Sequence, residues 1–194
     1  MALDLKKETT IKPKMETKVL ETKREEQPIS SKNPFITKEC IDILNYRILN
    51  EEQSSRLYQS MSLWLNDNGF KGSAKKWLSD ANDEMQHAQW AKDFLLDMGI
   101  QPKLPSLQEP PQTFGGLPDI IRKSYDHEII VTQQCNDLAK HAMQYGNHLL
   151  YQLAIKYLQE QQEEIGKLQD SLDMLSAFGE TKDVLFMLDK QFGE

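Results

Sequence analysis

Residues Trp77 to Leu95 read WLSDANDEMQHAQWAKDFL. Trp77, Ala81, Glu84, His87, Ala88, Ala91 and Leu95 recur at spacings of three and four, so they share one face of an α-helix. That face is apolar at both ends and turns toward a core. Glu84 and His87 sit in its middle and turn inward with it. A lone buried carboxylate costs several kcal/mol even after relaxation, so it demands a compensating partner.

Working outward, three more segments repeat the pattern. One stripe runs Leu44, Ile48, Glu51, Ser55, Tyr58, Ser62. Another runs Ile121, Tyr125, Glu128, Val131, Thr132, Cys135, Leu138. The last runs Leu150, Leu153, Tyr157, Gln161, Glu164, Leu168, Leu172. Each carries a polar interruption near its middle. The boundaries follow from local signals. Thr37 caps a first helix, with Glu39 in its first turn favouring the dipole, and Asn68-Gly69 ends it. A second helix spans about Gly72 to Met98, with Gly99 as its stop. A third starts near Pro118 and ends at Gly146-Asn147. A fourth continues to Phe178 before Gly179, and a short apolar helix closes the chain from Thr181 to Phe192.

Loop lengths set the topology. Short turns join the first to the second helix and the third to the fourth, which makes two antiparallel hairpins. The segment 99–116 is long and rich in Pro and Gly. A helix of about 28 residues is about 42 Å long, and 18 extended residues reach at most ~60 Å. The segment can therefore run the length of the bundle and make the second and third helices parallel. The expected fold is all-α: a four-helix bundle with one long crossover and a short fifth helix.

The first 34 residues differ. They hold eight Lys/Arg and six Asp/Glu, no aromatic residue, and Pro13, Pro28 and Pro34. Such a composition buries too little surface to offset ordering entropy. We expect a disordered extension over 1–34 and one folded domain over 35–194. Of the chain's 23 basic and 30 acidic residues this leaves 15 and 24 in the domain, a charge of −9 within a total of −7. That balance argues against a nucleic-acid partner and suits cations as cargo. No apolar run approaches ~18 residues, so no membrane span is expected. No leader pattern is seen. Cys40 and Cys135 form no spacing motif. A cytoplasmic location is expected.

Four inward carboxylates would repel one another unless something positive lay between them. Glu51, Glu84, Glu128 and Glu164 together carry −4, and two Fe²⁺ ions carry +4. His87 and Gln161 add neutral ligands. Glu84-x-x-His87 and Gln161-x-x-Glu164 place ligand pairs one turn apart, while Glu51 and Glu128 contribute one carboxylate each. Oxygen-rich ligation with one imidazole suits iron. Any one of these residues alone is more often a solvated glutamate or a core histidine. Their register across four helices favours a buried dimetal site over a metal-free interaction bundle, which would leave the carboxylates unexplained.

At this level the chain resembles the non-haem ferritins of prokaryotes, over residues 36–192. The resemblance rests on Asn50-Glu51, Leu57-Tyr58-Gln59-Ser60-Met61-Ser62-Leu63-Trp64, Glu84-Met85-Gln86-His87, Tyr125-Asp126-His127-Glu128 and Glu160-Gln161-Gln162-Glu163-Glu164. It implies a ferritin-like di-iron domain with ferroxidase activity. Fe²⁺ would be oxidised by O₂ or peroxide and stored as ferric oxyhydroxide inside a homo-oligomeric shell of 24 subunits. One iron would be held by Glu51, Glu84 and His87. The second would be held by Glu84, Glu128 and Glu164, with Gln161 nearby. Tyr58 would be the tyrosine beside the centre that can donate an electron. A third, cavity-side iron position would use Asp83, Glu160, Glu163 and Glu164, and Asp83 is shorter than the family's usual Glu there. The short last helix would line four-fold axes.

Two related readings stay open. Met85 stands where haem-containing bacterioferritins place their haem ligand, but those carry Glu-x-x-His on both hairpins, and Gln161-x-x-Glu164 argues against haem. A non-storage di-iron oxidase would usually bring a substrate channel or a rubredoxin-type cysteine domain, and neither signal is present.

Overall fold

A computed structural model describes residues 35–194. The expected disordered extension, 1–34, lies outside the described residues. Five helices follow in order among the described residues: α1 Lys38–Asp67, α2 Lys71–Asp97, α3 Leu117–Gln144, α4 His148–Phe178 and α5 Lys182–Phe192. No helix among them is long and apolar enough to cross a membrane. The boundaries lie within two residues of the sequence expectation, and the caps explain why. The Thr37 side chain accepts from Cys40 N, and Asn147 and Thr181 do the same for α4 and α5, each satisfying a donor that a helix start leaves free. Gly99 follows α2 with φ +74°, a left-handed conformation that suits glycine at a helix stop.

The core shows the chain direction directly. One apolar cluster joins Cys40, Leu44 and Ile48 of α1 to Ala91 and Leu95 of α2, Val131 to Ala142 of α3, and Leu150 to Tyr157 of α4. A second joins the other ends: Tyr58 to Leu65, Ala74 to Ala81, Leu117 to Ile121 and Leu168 to Leu175, with Val184 and Leu188 of α5. The C-terminal halves of α2 and α3 thus lie at one end, which makes the two helices parallel. The bundle is two antiparallel hairpins joined by a crossover.

The crossover is tied down along α1. Lys103 N donates to Asn45 Oδ1 at 2.7 Å. Gln53 and Gln108 exchange two hydrogen bonds at 3.1 and 2.8 Å, and Ser60 Oγ donates to the Pro111 carbonyl. The partners advance together along both segments, so residues 103–111 run beside α1 in the same direction. Ser55 and Ser62 do a related job between α1 and α2. They are small enough for close helix approach, and each donates to an α2 carbonyl at 2.7 Å.

Every residue of the α2 stripe is buried, and so is every residue of the α1 stripe. The α4 stripe drifts. Leu172 is only half-buried, while Ser171 and Leu175 are buried. A straight helix at 3.6 residues per turn moves off a strict seven-residue repeat by ~20° per heptad.

Candidate metal centre

Between the two apolar clusters lies a polar layer, one turn deep, to which all four long helices contribute. Glu51, Glu84, His87 and Glu128 are buried, as is Gln161, while Glu164 is half-buried. One ligand atom from each of Glu51, Glu84 and His87 lies within 4.8 Å of the others. The same holds for Glu84, Glu128 and Glu164. Glu84 belongs to both sets, so it lies between the two positions.

Hydrogen bonding leaves part of these carboxylates unsatisfied. Glu84 Oε2 lies 3.2 Å from His87 Nδ1. The Tyr58 hydroxyl donates to Glu128 Oε1. Gln161 Nε2 donates to Glu164 Oε2 at 2.7 Å, and Gln161 Oε1 accepts from Thr132 Oγ1 at 2.9 Å. Glu51 Oε2, Glu84 Oε1 and Glu128 Oε2 are buried with no hydrogen-bond partner. Buried polar atoms are almost always satisfied. Three orphaned carboxylate oxygens in one layer fit a site that accepts cations, and the hard oxygen donors with one imidazole match divalent or trivalent iron.

Electrostatics agree. Burial, reinforced by the charges of Glu51 and Glu128, raises the Glu84 carboxyl well above the ordinary carboxylate range. Burial, and then Glu128 and Glu51, push Glu164 up to about 9. Burial first, then Glu128, raises the Tyr58 phenol well above its usual value. For Glu84 and Glu164, burial thus favours the protonated carboxyl.

A cavity of about 240 Å³ leads away from the layer. Tyr58, His87, Glu128 and Glu164 line it, and Asp80, Asp83, Gln86, Glu160 and Lys167 are also on its wall. Asp83 is exposed and Glu160 half-buried. Glu163 is exposed and lies off that lining. The structure thus brings Asp83, Glu160 and Glu164 to one cavity and leaves Glu163 outside it. Met85 is exposed on the other side of the α2 turn.

Four features were not foreseen from the sequence. Arg47 is buried, and its Nε donates to Glu51 Oε1 at 2.5 Å. The Trp90 ring packs 4.7 Å from His87 and has the Lys156 ammonium 3.5 Å above it. Tyr157 donates to the His87 carbonyl at 2.7 Å, which fixes α2 against α4. His127 lies 2.7 Å from Ser54 Oγ and edge-on to the Tyr58 ring at 5.8 Å. Of these only Tyr157 stood in an inward stripe.

Comparison with known proteins shows the family. A family model described as a ferritin-like domain matches residues 41–178. The chain is 33% identical over 153 residues to a bacterial non-heme ferritin of Escherichia coli O157:H7, covering 79% of this chain and 93% of that protein. It is 28% identical over 156 residues to a bacterial non-heme ferritin of Campylobacter jejuni, covering 80% and 93%. Among solved structures, an open pore ferritin from the hyperthermophilic archaeon Archaeoglobus fulgidus superimposes with a TM-score of 0.78 at 30% identity, covering 81% of this chain and 97% of that one.

Proposed function

Because the chain belongs to the ferritin-like domain family, we propose that it is an iron-storage ferritin subunit that oxidises Fe²⁺ at the polar layer. The observation that carries this reading is the set of three buried, unpartnered carboxylate oxygens on Glu51, Glu84 and Glu128. One Fe²⁺ is held by Glu51, Glu84 and His87, and the other by Glu84, Glu128 and Glu164, with Gln161 beside the second. Each ion gives up one electron, and O₂ takes the pair and leaves as peroxide. The protein contributes proximity and charge compensation. Glu84 and Glu164 lose protons as iron binds, and the Tyr58 hydroxyl holds Glu128 in place and is close enough to lend an electron.

The cavity gives ferric product a way out past Glu164, Glu160 and Asp83, the acidic residues proposed as a third, transient iron position. Glu163, which lies off that lining, belongs to the position only as the resemblance implies. Storage follows as ferric oxyhydroxide inside a shell of 24 subunits in the cytoplasm, and residues 1–34 act as an extension separate from the ferroxidase domain. The names of the relatives support iron storage, and the non-haem relatives support a centre without haem.

The test is aerobic addition of Fe²⁺ to metal-stripped protein, followed by the near-ultraviolet rise of ferric-oxo species, with Glu84→Ala alongside. The expected result is a fast phase saturating at two irons per chain, absent from the variant. Oxidation no faster than in buffer would sink the proposal.

A further inference from the structure

The buried cation beside Glu51 has no part in the chemistry above. Arg47 stands one turn before Glu51 on α1 and is 3% exposed. Its Nε donates to Glu51 Oε1 at 2.5 Å, and its Nη2 forms an ion pair with the same oxygen. Its Nη1 donates to Gln134 Oε1 at 2.9 Å, an atom that also accepts from Asn50 Nδ2 at 2.8 Å. The guanidinium carbon lies 5.2 Å from the centroid of the Tyr157 ring. Held by α1, α3 and α4 together, it cannot reach water without abandoning all of these partners. Its charge, moreover, is fixed at any pH a protein survives.

This cation divides Glu51. One oxygen belongs to Arg47, and the other, Oε2, is buried with no partner. The two donor sets therefore differ in charge. The set Glu51, Glu84 and His87 has one of its two carboxylates already compensated, and its third member is neutral. The set Glu84, Glu128 and Glu164 has three carboxylates. Among the described residues no lysine or arginine forms an ion pair with any of them.

We propose that Arg47 makes the centre unequal: it restricts Glu51 to one donor oxygen, weakens the Glu51–Glu84–His87 position for a dication, and leaves the Glu84–Glu128–Glu164 position to fill first. The inference rests on the dimetal reading given above. Arg47 acts here as a positioning residue through Glu51. Two effects oppose each other. Holding Glu51 in place helps binding, as an orienting hydrogen bond does. A full positive charge near a dication in a poorly screened interior hinders it. The second prevails, because charge–charge interaction at this range exceeds the net value of one hydrogen bond.

The experiment is an oxygen-free titration of metal-stripped, full-length protein with Co²⁺, read by calorimetry and by the visible absorption of bound cobalt. Wild type should bind one Co²⁺ tightly and a second at least about ten-fold more weakly, a gap of about 1.4 kcal/mol. Arg47→Gln keeps an N–H donor and loses the charge, so its weaker site should tighten until the gap closes. Arg47→Lys should keep the gap. Gln134→Leu strips Arg47 of its second acceptor, leaves the guanidinium wholly on Glu51, and should weaken the second site further. An unchanged or wider gap in Arg47→Gln would overturn the inference. So would two equal sites in wild type with iron oxidation intact. If Arg47→Gln does not fold, Gln134→Leu decides: a second site no weaker than in wild type refutes the inference. Wild type that binds no Co²⁺ at all would remove the dimetal reading itself.

Discussion

Glu84→Gln should make the metal-free protein more stable while abolishing tight metal binding. Glu84 faces Glu51 in one donor set and Glu128 and Glu164 in the other, with ligand atoms within 4.8 Å. Two carboxylates at that distance repel by about 3 kcal/mol at an effective dielectric of about 20. Three such repulsions, about 10 kcal/mol, would rival the ~5–15 kcal/mol that stabilises a whole domain. Burial and these repulsions raise the Glu84 and Glu164 carboxyls, so the metal-free fold favours their protonated forms. At pH 7.5, three units above the ordinary value of 4.5, each retained proton costs about 4 kcal/mol. A neutral amide at position 84 removes one such cost. Against this stands about 1–3 kcal/mol for a buried amide with imperfect partners. The net gain is about 2 kcal/mol, or about 4–8 °C in Tm for a chain of this size. The assay is thermal unfolding by circular dichroism at pH 7.5 in chelator, at fixed scan rate and concentration. Adding Zn²⁺ at about 100 times its Kd should raise the wild-type stability by about 2.7 kcal/mol and leave the variant unmoved. A lower Tm for Glu84→Gln in chelator would refute the charge-repulsion reasoning, since it would mean that the carboxylate is satisfied within the metal-free fold.

Three further outcomes follow from the same geometry. Tyr58→Phe removes the donor to Glu128 Oε1 and should slow iron oxidation about 10–100-fold in stopped-flow absorbance, an effect that excess Fe²⁺ does not restore. For pH, the folded-state carboxyl of Glu164 lies near 9 against an ordinary 4.5, so between those values the folded chain binds more protons than the unfolded one. The stability of the metal-free protein should then fall as pH rises from 5.5 to 8.5, and bound Zn²⁺ should flatten or reverse that slope; a Tm that climbs with pH in chelator would contradict it. At Gly72 an added Cβ would sit 1.8 Å from the Asp189 carbonyl oxygen, so Gly72→Ala should dislodge α5, seen as lost amide-exchange protection over 182–192 with the α1–α4 amides unchanged.

Fold and site were legible to different degrees. The stripes of α1 and α2 could be read because both faces of each helix have distinct composition, and Glu51, Glu84 and His87 show as polar groups where leucines belong. The direction of the crossover followed from length alone, but its path did not. Asn45, Gln53 and Ser60, which hold it, look like any exposed polar residues of a helix. Arg47 was missed for a similar reason. An arginine four residues before a glutamate reads as a solvated pair on the helix surface, and only Gln134, 87 residues further on, shows that the pair faces inward. The third-position acids illustrate the opposite case. The resemblance, not spacing, grouped Asp83, Glu160, Glu163 and Glu164, and Glu163 is the one of the four that does not line the cavity.

The division of the core into two apolar clusters has a mechanical consequence. The layer between them is braced by the Arg47–Gln134, Tyr58–Glu128, Thr132–Gln161 and Tyr157–His87 hydrogen bonds, yet its carboxyls crowd one another and three of its oxygens lack partners. It is a seam. Each end of the bundle has its own cohesive packing, and on the proposed function cations would add a further tie across the seam. If the proposed function holds, loading iron should therefore tighten the middle of the bundle, and unloading should relax it. The rigidity of the bundle would then gauge its cation load, readable as amide exchange at mid-helix residues that no ion touches.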